Sequence, residues 1–212
     1  MGDGFCNGLC SLSLPLLKIV MQHILLIDNF DSFTFNLVQL LAESGIPHIL
    51  HLVKNTIRID DLPEKTDKLL ISPGPGLPHE SGNLMELVGH FIEQCPVLGI
   101  CLGHQAIAIH FGARLTNLPH SAHGLKSPCF STIHPEPVFS GISMPLNCGR
   151  YHSWVVDKYT LPDQLVVTSE DESGWIMSLR HRSLPVTGLQ FHPESYMTDE
   201  GRQMVTNWLR IN

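Results

Sequence analysis

Residues 96–105 read PVLGICLGHQ: a short apolar run leads through a Gly-x-Cys-x-Gly step into a segment of helical character. A strand, a tight turn and a helix in this order form a nucleophile elbow, here with Cys101 at the corner. Gly99 and Gly103 let the chain turn sharply and leave room for a substrate above the cysteine. The positive end of the helix dipole favours thiolate over thiol. Cys101 is therefore a candidate nucleophile; the alternative is a buried structural cysteine.

Strands and helices alternate around this elbow. The apolar run 23–28 is typical of a strand buried on both faces of a parallel sheet. Residues 33–43 have helical spacing that ends at Gly45 and Pro47. Alternating strands and helices imply βαβ units with parallel pairing and right-handed crossovers. Further strands are predicted at 48–53, 68–71 and 97–100, and further helices at 83–92 and 103–111.

The pattern changes after about residue 112. Short alternating segments separated by Pro and Gly turns predict antiparallel strands, and a helix at 200–209 follows them. These segments lie at 129–134, 165–169, 175–179 and 186–191. The expected fold class is α/β: a single domain with an open, mostly parallel sheet flanked by helices, and antiparallel additions in the C-terminal half.

The first residues differ in composition from the rest. Residues 1–21 are expected to be a disordered N-terminal extension, and residues 22–212 the folded domain. The segment 9–20 is too short and too interrupted to span a bilayer, and it lacks the basic region of a secretory signal. A net charge of −7 without a Lys/Arg cluster argues against nucleic acid as a partner. Six cysteines without regular spacing indicate a reducing compartment. We therefore expect a cytoplasmic protein that binds neither membranes nor nucleic acids.

A histidine and a glutamate follow the predicted strand 186–191. Pro193 stiffens the backbone between His192 and Glu194, and the two-residue spacing lets the carboxylate point to the same side as the imidazole. A carboxylate that orients an imidazole completes the nucleophile–base–orienter arrangement. Cys101, His192 and Glu194 are therefore a candidate thiol triad, although a histidine at a strand end is often only a satisfied polar residue.

The loop 72–76, Ser-Pro-Gly-Pro-Gly, follows another predicted strand. Ligands of such sheets gather beyond the carboxyl ends of the strands, where both this loop and Cys101 are placed. Acyl chemistry passes through a tetrahedral oxyanion, and losing one donor to it costs ~10²–10³ in rate. The N–H groups of Gly74 and Leu102 are the candidate donors. The alternative is an ordinary Pro/Gly turn.

Taken together, these motifs resemble those of the class I glutamine amidotransferases, specifically the small glutaminase subunit of anthranilate synthase and of aminodeoxychorismate synthase. The resemblance extends from about residue 22 to the C-terminus. Its five ordered motifs are LIDNFDSFT at 26–34, ISPGPG at 71–76, GICLGHQ at 99–105, RYHS at 150–153 and QFHPES at 190–195.

The resemblance implies a role for each catalytic position. Cys101 would attack the side-chain amide of L-glutamine, releasing ammonia and leaving a glutamyl thioester. His192 would be general base and then acid, oriented by Glu194. Gly74 and Leu102 would stabilise the oxyanion.

It also implies a substrate site. The backbone of Ser153 and Trp154 would hold the α-amino and α-carboxylate groups, although Trp154 departs from the aliphatic residue expected there. The implied substrate-binding residues are Gly74, Gly76, Leu102, Gln105, Ser153 and Trp154. Residues 120–128 are expected to form a loop near a partner subunit.

The expected function is a glutaminase that delivers ammonia to a large chorismate-using synthase subunit. No metal or other cofactor is expected, because no cluster of ligand spacing is found and His104 is better explained by packing or capping. One alternative keeps the triad in a free-standing γ-glutamyl hydrolase or peptidase. Another is a non-catalytic binding or regulatory subunit on the same scaffold, which the intact Cys101, His192 and Glu194 disfavour.

Overall fold

The computed structural model describes residues 21–212, so the disordered extension expected at residues 1–21 lies, except for Met21, outside the described residues. Nine strands form one sheet within the described range. Their bounds are β1 Gln22–Asp28, β2 His48–Lys54, β3 Lys68–Ile71, β4 Val97–Ile100, β5 Leu115–Ser131, β6 Leu146–Val156, β7 Leu165–Asp171, β8 Ile176–His181 and β9 Val186–Leu189. The α-helices are α1 Thr34–Glu43, α2 Leu84–Phe91, α3 Leu102–His110 and α4 Gly201–Leu209. Short 3₁₀ helices lie at Ile59–Asp61, Pro78–Glu80, Pro137–Phe139 and Lys158–Thr160.

The strand order is β2-β1-β3-β4-β9-β8-β7-β5-β6. The first five strands in this order pair in parallel, and each later pairing is antiparallel. The predicted single α/β domain with antiparallel additions is therefore confirmed, and parallel and antiparallel pairings occur in equal number among the described residues.

Two apolar cores cover the two faces of the parallel half. Leu25, Ile27 and Val97 pack on the side of α2 and α3, while Leu26 and Leu98 pack on the side of α1 and α4. These strands are buried on both faces because helices cover both faces, which explains their continuous apolar sequence. Each fully buried aliphatic side chain contributes roughly 1.5–3 kcal/mol relative to an exposed one.

The antiparallel half differs from the prediction. Of the strand predicted at 129–134, residues 129–131 are the end of the longer β5 and residues 132–134 lie outside any strand, while the predicted loop 120–128 also lies within β5. Its partner β6 was not predicted. Most side chains of β5 are exposed, and its pairing with β6 shifts register twice, once between Asn117 and Ala122 and once at Gly124, which has φ of 68°. Exposed, irregular strands lack the alternation that marks a half-buried strand.

Close backbone packing positions the elbow. A Cβ on Gly99 would lie 2.5 Å from the carbonyl of Gly103, and a Cβ on Gly103 would lie 2.8 Å from Cβ of Ile71. Helix α3 can therefore rest directly on β3 and β4 only because both glycines lack side chains. This packing brings the carboxyl ends of β3, β4 and β9 to one site.

Candidate active site

Cys101 occupies the turn between β4 and α3 in a strained conformation. Its φ is 50° and its ψ is −96°, a conformation that residues other than glycine rarely adopt. Such a backbone conformation costs about 1–3 kcal/mol. Its N–H donates to the carbonyl of Leu189 at 2.7 Å, which fixes the turn to β9. The residue caps the N-terminus of α3 and is 6% exposed. The predicted elbow is therefore present.

His192 lies just beyond β9, between a carboxylate and the cysteine. Its Nδ1 is 2.7 Å from Oε1 of Glu194, and both side chains are buried. Burial alone would lower the pKa of His192, but interactions with Cys101 and Glu194 outweigh it and raise the pKa to about 10. Nε2, the ring nitrogen that does not face Glu194, has no hydrogen-bond partner among the described residues. The structure thus brings the three candidate residues together.

Aromatic rings hold the imidazole from the side. Phe33 contacts His192 edge-on with ring centroids 5.4 Å apart, and Tyr151 does so at 4.9 Å. Such packing fixes the ring plane, so the bond to Glu194 can define the orientation of Nε2.

The loop after β3 is held by buried amides. Asn29 donates from its side chain to the carbonyl of Ser72 at 2.9 Å, and Asn55 donates to Oδ1 of Asn29 at 3.1 Å. A Cβ on Gly74 would lie 2.5 Å from Cβ of Asn29 and 2.6 Å from Cδ2 of Leu102. Neither Gly74 nor Leu102 donates its N–H to any group in residues 21–212, so both donors remain available. Asn29 belongs to the sequence motif at 26–34, but its contact with this loop was not predicted.

A cavity of about 250 Å³ lies over the elbow. Every residue predicted to bind substrate lines it, together with Cys101: Gly74, Gly76, Leu102, Gln105, Ser153 and Trp154. His192 and Glu194 are not among the residues that line it. His123, Tyr151 and His152 also line it and were not predicted as substrate contacts. Tyr151 and His152 lie in the sequence motif 150–153, which could have identified them as cavity residues. His123 reaches the cavity because β5 pairs with β6.

Trp154 differs in detail from the expectation. Its carbonyl already accepts hydrogen bonds from Nε2 of Gln105 at 2.9 Å and from Nδ1 of His152 at 3.1 Å. The same Gln105 nitrogen donates to Oε1 of Gln190 at 3.2 Å. Gln105 therefore connects the cavity to buried groups beside Cys101.

His104 is fully buried, and burial lowers its pKa to about 4. It packs against Gly188, where a Cβ would lie 2.7 Å from Nδ1. This fits the packing role expected of His104. Within residues 21–212, no three His, Cys, Asp or Glu side chains are grouped closely enough to bind a metal.

A larger cavity, about 970 Å³, lies away from this chemistry. It borders the start of β9 at Val186 and Thr187, whereas the triad borders the end of that strand. It contains none of the predicted site residues.

No helix in the described part of the chain is long and apolar enough to cross a membrane.

Known proteins match this arrangement over most of the chain. A family model described as "Glutamine amidotransferase class-I" matches residues 25–211. Aminodeoxychorismate synthase component 2 of Klebsiella aerogenes is 44% identical, covering 88% of this chain and 98% of that protein. Aminodeoxychorismate/anthranilate synthase component 2 of Bacillus subtilis is 43% identical, covering 88% and 95%.

Longer and more distant proteins match as well. This chain spans 33% of the bifunctional protein TrpGD of Thermotoga maritima, at 40% identity over 91% of the chain. A solved structure from Thermoplasma acidophilum, named for GMP synthase, superposes with a TM-score of 0.79 at 29% identity, covering 90% of this chain and 93% of that one. The chain therefore belongs to the class-I glutamine amidotransferases and is an enzyme of that family.

Proposed function

We propose that this chain is the glutaminase subunit of a chorismate-using synthase. It hydrolyses L-glutamine and passes the ammonia to a large synthase subunit that makes anthranilate or 4-amino-4-deoxychorismate. Residues 22–212 form the amidotransferase domain, and the enzyme acts in the cytoplasm. The main support for this proposal is the buried imidazole of His192. It forms a hydrogen bond with Glu194 at 2.7 Å and interacts with Cys101, which lines the cavity.

The triad residues divide the reaction into two acyl transfers. The Cys101 thiolate attacks the amide carbon of glutamine, and the N–H groups of Gly74 and Leu102 stabilise the oxyanion. Protonated His192 gives its proton to the departing nitrogen, so ammonia leaves and a glutamyl thioester remains. Neutral His192 then takes a proton from water, which attacks the thioester; glutamate leaves and the sulfur returns as thiolate.

The remaining cavity residues would orient glutamine. Gly76 is exposed at the loop and has φ of 73°, a conformation that favours glycine and lets the backbone approach a ligand closely. Gln105 commits its amide nitrogen to Trp154 and Gln190, which leaves its carbonyl oxygen to accept from an α-ammonium group. Ser153 and Trp154 would contribute backbone groups on the opposite side.

Exposed aromatic residues next to the site support a partner subunit. Phe30 is 55% exposed and directly follows Asn29, which holds the oxyanion loop. Tyr196 is 86% exposed and follows the segment that carries His192 and Glu194. A synthase subunit docked on these side chains would touch both halves of the site. Since ammonia is mostly protonated at neutral pH, a sheltered path would keep it nucleophilic. We expect the isolated chain to be a poor glutaminase.

The test is product formation by the chain with its copurifying synthase subunit. Cys101→Ala should abolish glutamine-dependent synthesis and leave ammonia-dependent synthesis nearly unchanged. Cys95→Ala is the matched control, because burial raises the pKa of that thiol to about 11 and it lies outside the cavity. Loss of both activities in Cys101→Ala would indicate a structural role. Hydrolysis of γ-glutamyl peptides without any partner would favour the free-standing hydrolase.

A further inference from the structure

The side chain of Gln190 contacts the candidate nucleophile but does not line the cavity. Gln190 is fully buried at the end of β9, and its Nε2 is 3.6 Å from Sγ of Cys101. Its Oε1 accepts from Nε2 of Gln105 at 3.2 Å. The triad chemistry described above assigns no role to Gln190.

The hydrogen-bond partners determine which end of this amide faces the sulfur. The backbone carbonyl of Trp154 can only accept, so the Gln105 atom 2.9 Å from it is the amide nitrogen. That nitrogen also contacts Gln190, which must therefore present its carbonyl oxygen to Gln105. The N–H₂ group of Gln190 is then the end that faces Cys101.

The Trp154 carbonyl is fixed from the other side by a second set of donors. Arg150 pairs with Asp171 at 2.6 Å and can only donate, so Nε2 of His152, 3.3 Å from its Nε, is an acceptor. The proton of His152 is thus on Nδ1, which donates to Trp154. Burial and then the charge of Arg150 lower the pKa of His152 to about 3, which keeps this ring neutral. The Trp154 carbonyl therefore accepts from His152 on one side and from Gln105 on the other, and from Gln105 onward the donor direction leads to the sulfur.

We propose that Gln190 is a further catalytic residue, whose side-chain N–H donates to the Cys101 sulfur and stabilises it as a thiolate. The proposal rests on the proposed function, since it concerns the same nucleophile. A thiolate accepts an N–H strongly and a neutral thiol or thioester sulfur accepts it weakly. The donor therefore favours the attacking anion before the first step and the departing anion in the second. Gln105 is a positioning residue that keeps the donor aimed at the sulfur.

Alkylation of Cys101 by iodoacetamide tests this in the full chain without a synthase partner. The labelling rate of the Cys101 peptide is followed by mass spectrometry from pH 5 to 10, because only the thiolate reacts. For Gln190→Met, which keeps the size and removes the donor, we expect labelling at pH 7 to fall about tenfold and the profile to move to higher pH. Gln190→Glu, which places an acceptor beside the sulfur, should move it at least as far.

One control variant, a second test variant and a test of the triad make the outcome decisive. Gln39→Met changes an exposed glutamine on α1 and should label like the wild type. A folded Gln190→Met with the wild-type profile overturns the proposal; if that variant does not fold, the profile of Gln190→Glu decides in the same way. The His192→Gln variant separates a failure of the Gln190 proposal from a failure of the proposed triad. If it changes the profile and the Gln190 variants do not, only the role of Gln190 fails. If His192→Gln also leaves the profile unchanged, the triad itself fails.

Discussion

Replacing Gly74 with alanine is the sharpest perturbation of the oxyanion loop. The added Cβ would lie 2.5 Å from Cβ of Asn29 and 2.6 Å from Cδ2 of Leu102. Leu102 can rotate, but Cβ of Asn29 is fixed to the backbone and its amide holds Ser72. Since carbon contacts are optimal at about 3.5–4.0 Å, the loop must move by about 1 Å. A shift of this size removes a donor from the oxyanion, so glutamine-dependent turnover should fall by ~10²–10³.

The assay is product formation by the complex, with glutamine or ammonia as nitrogen source. Ammonia-dependent synthesis should remain, and overpacking should cost stability by about 1–3 kcal/mol. Gly89→Ala is the matched control: it lies inside α2, where a Cβ would meet only His110 at 3.7 Å, so it should be neutral or stabilising. A folded Gly74→Ala complex that keeps the wild-type glutamine-dependent rate would refute this account of the loop.

Three further outcomes are expected. The pKa of His192 is raised from its ordinary 6.5 to about 10, so protonation of the ring stabilises the fold fully below pH 6.5 and this contribution is lost as pH rises through 10. In urea unfolding, the stability difference between the wild type and His192→Gln should therefore shrink from pH 7 to pH 10; a constant difference would contradict the raised pKa. Asp171→Ala leaves Arg150 buried without its partner and should cost about 3–5 kcal/mol in urea unfolding, whereas a loss typical of exposed pairs would show that water replaces the carboxylate. Gly99→Ala places a Cβ 2.5 Å from the backbone of Gly103 and should strongly lower the midpoint of thermal unfolding. An unchanged midpoint would show that the close packing of α3 on β4 tolerates a side chain.

The sequence predicted the strands in which every residue is buried, and the turns in which neighbouring residues determine the backbone. The bounds of β3 and β4 match the structure because helices cover both faces of these strands and every residue in them is buried. Likewise the elbow at Cys101 was predictable, because the glycines beside it are required by local packing. His192 and Glu194 form their bond across two residues, a distance that the sequence itself defines.

Long-range contacts were beyond this reasoning. The pairing of β5 with β6 places His123 at the cavity, yet β5 is mostly exposed, β6 is mostly buried without a strict alternation, and the register shifts between them. Asn29 and Ser72 are far apart in the chain and meet only because β1 and β3 are neighbours. Gln190 belongs to a sequence motif, but its contact with Cys101 depends on the pairing of β4 with β9, which the sequence did not predict.

During turnover, the sulfur of Cys101 should carry the glutamyl group of the substrate. Acid quenching of the complex during glutamine hydrolysis, followed by adduct mapping with mass spectrometry, measures this. We expect a glutamyl thioester on the peptide that contains Cys101, and none in the Cys101→Ser variant. Sustained glutamine-dependent turnover in that variant, or a glutamyl adduct on another residue, would contradict it.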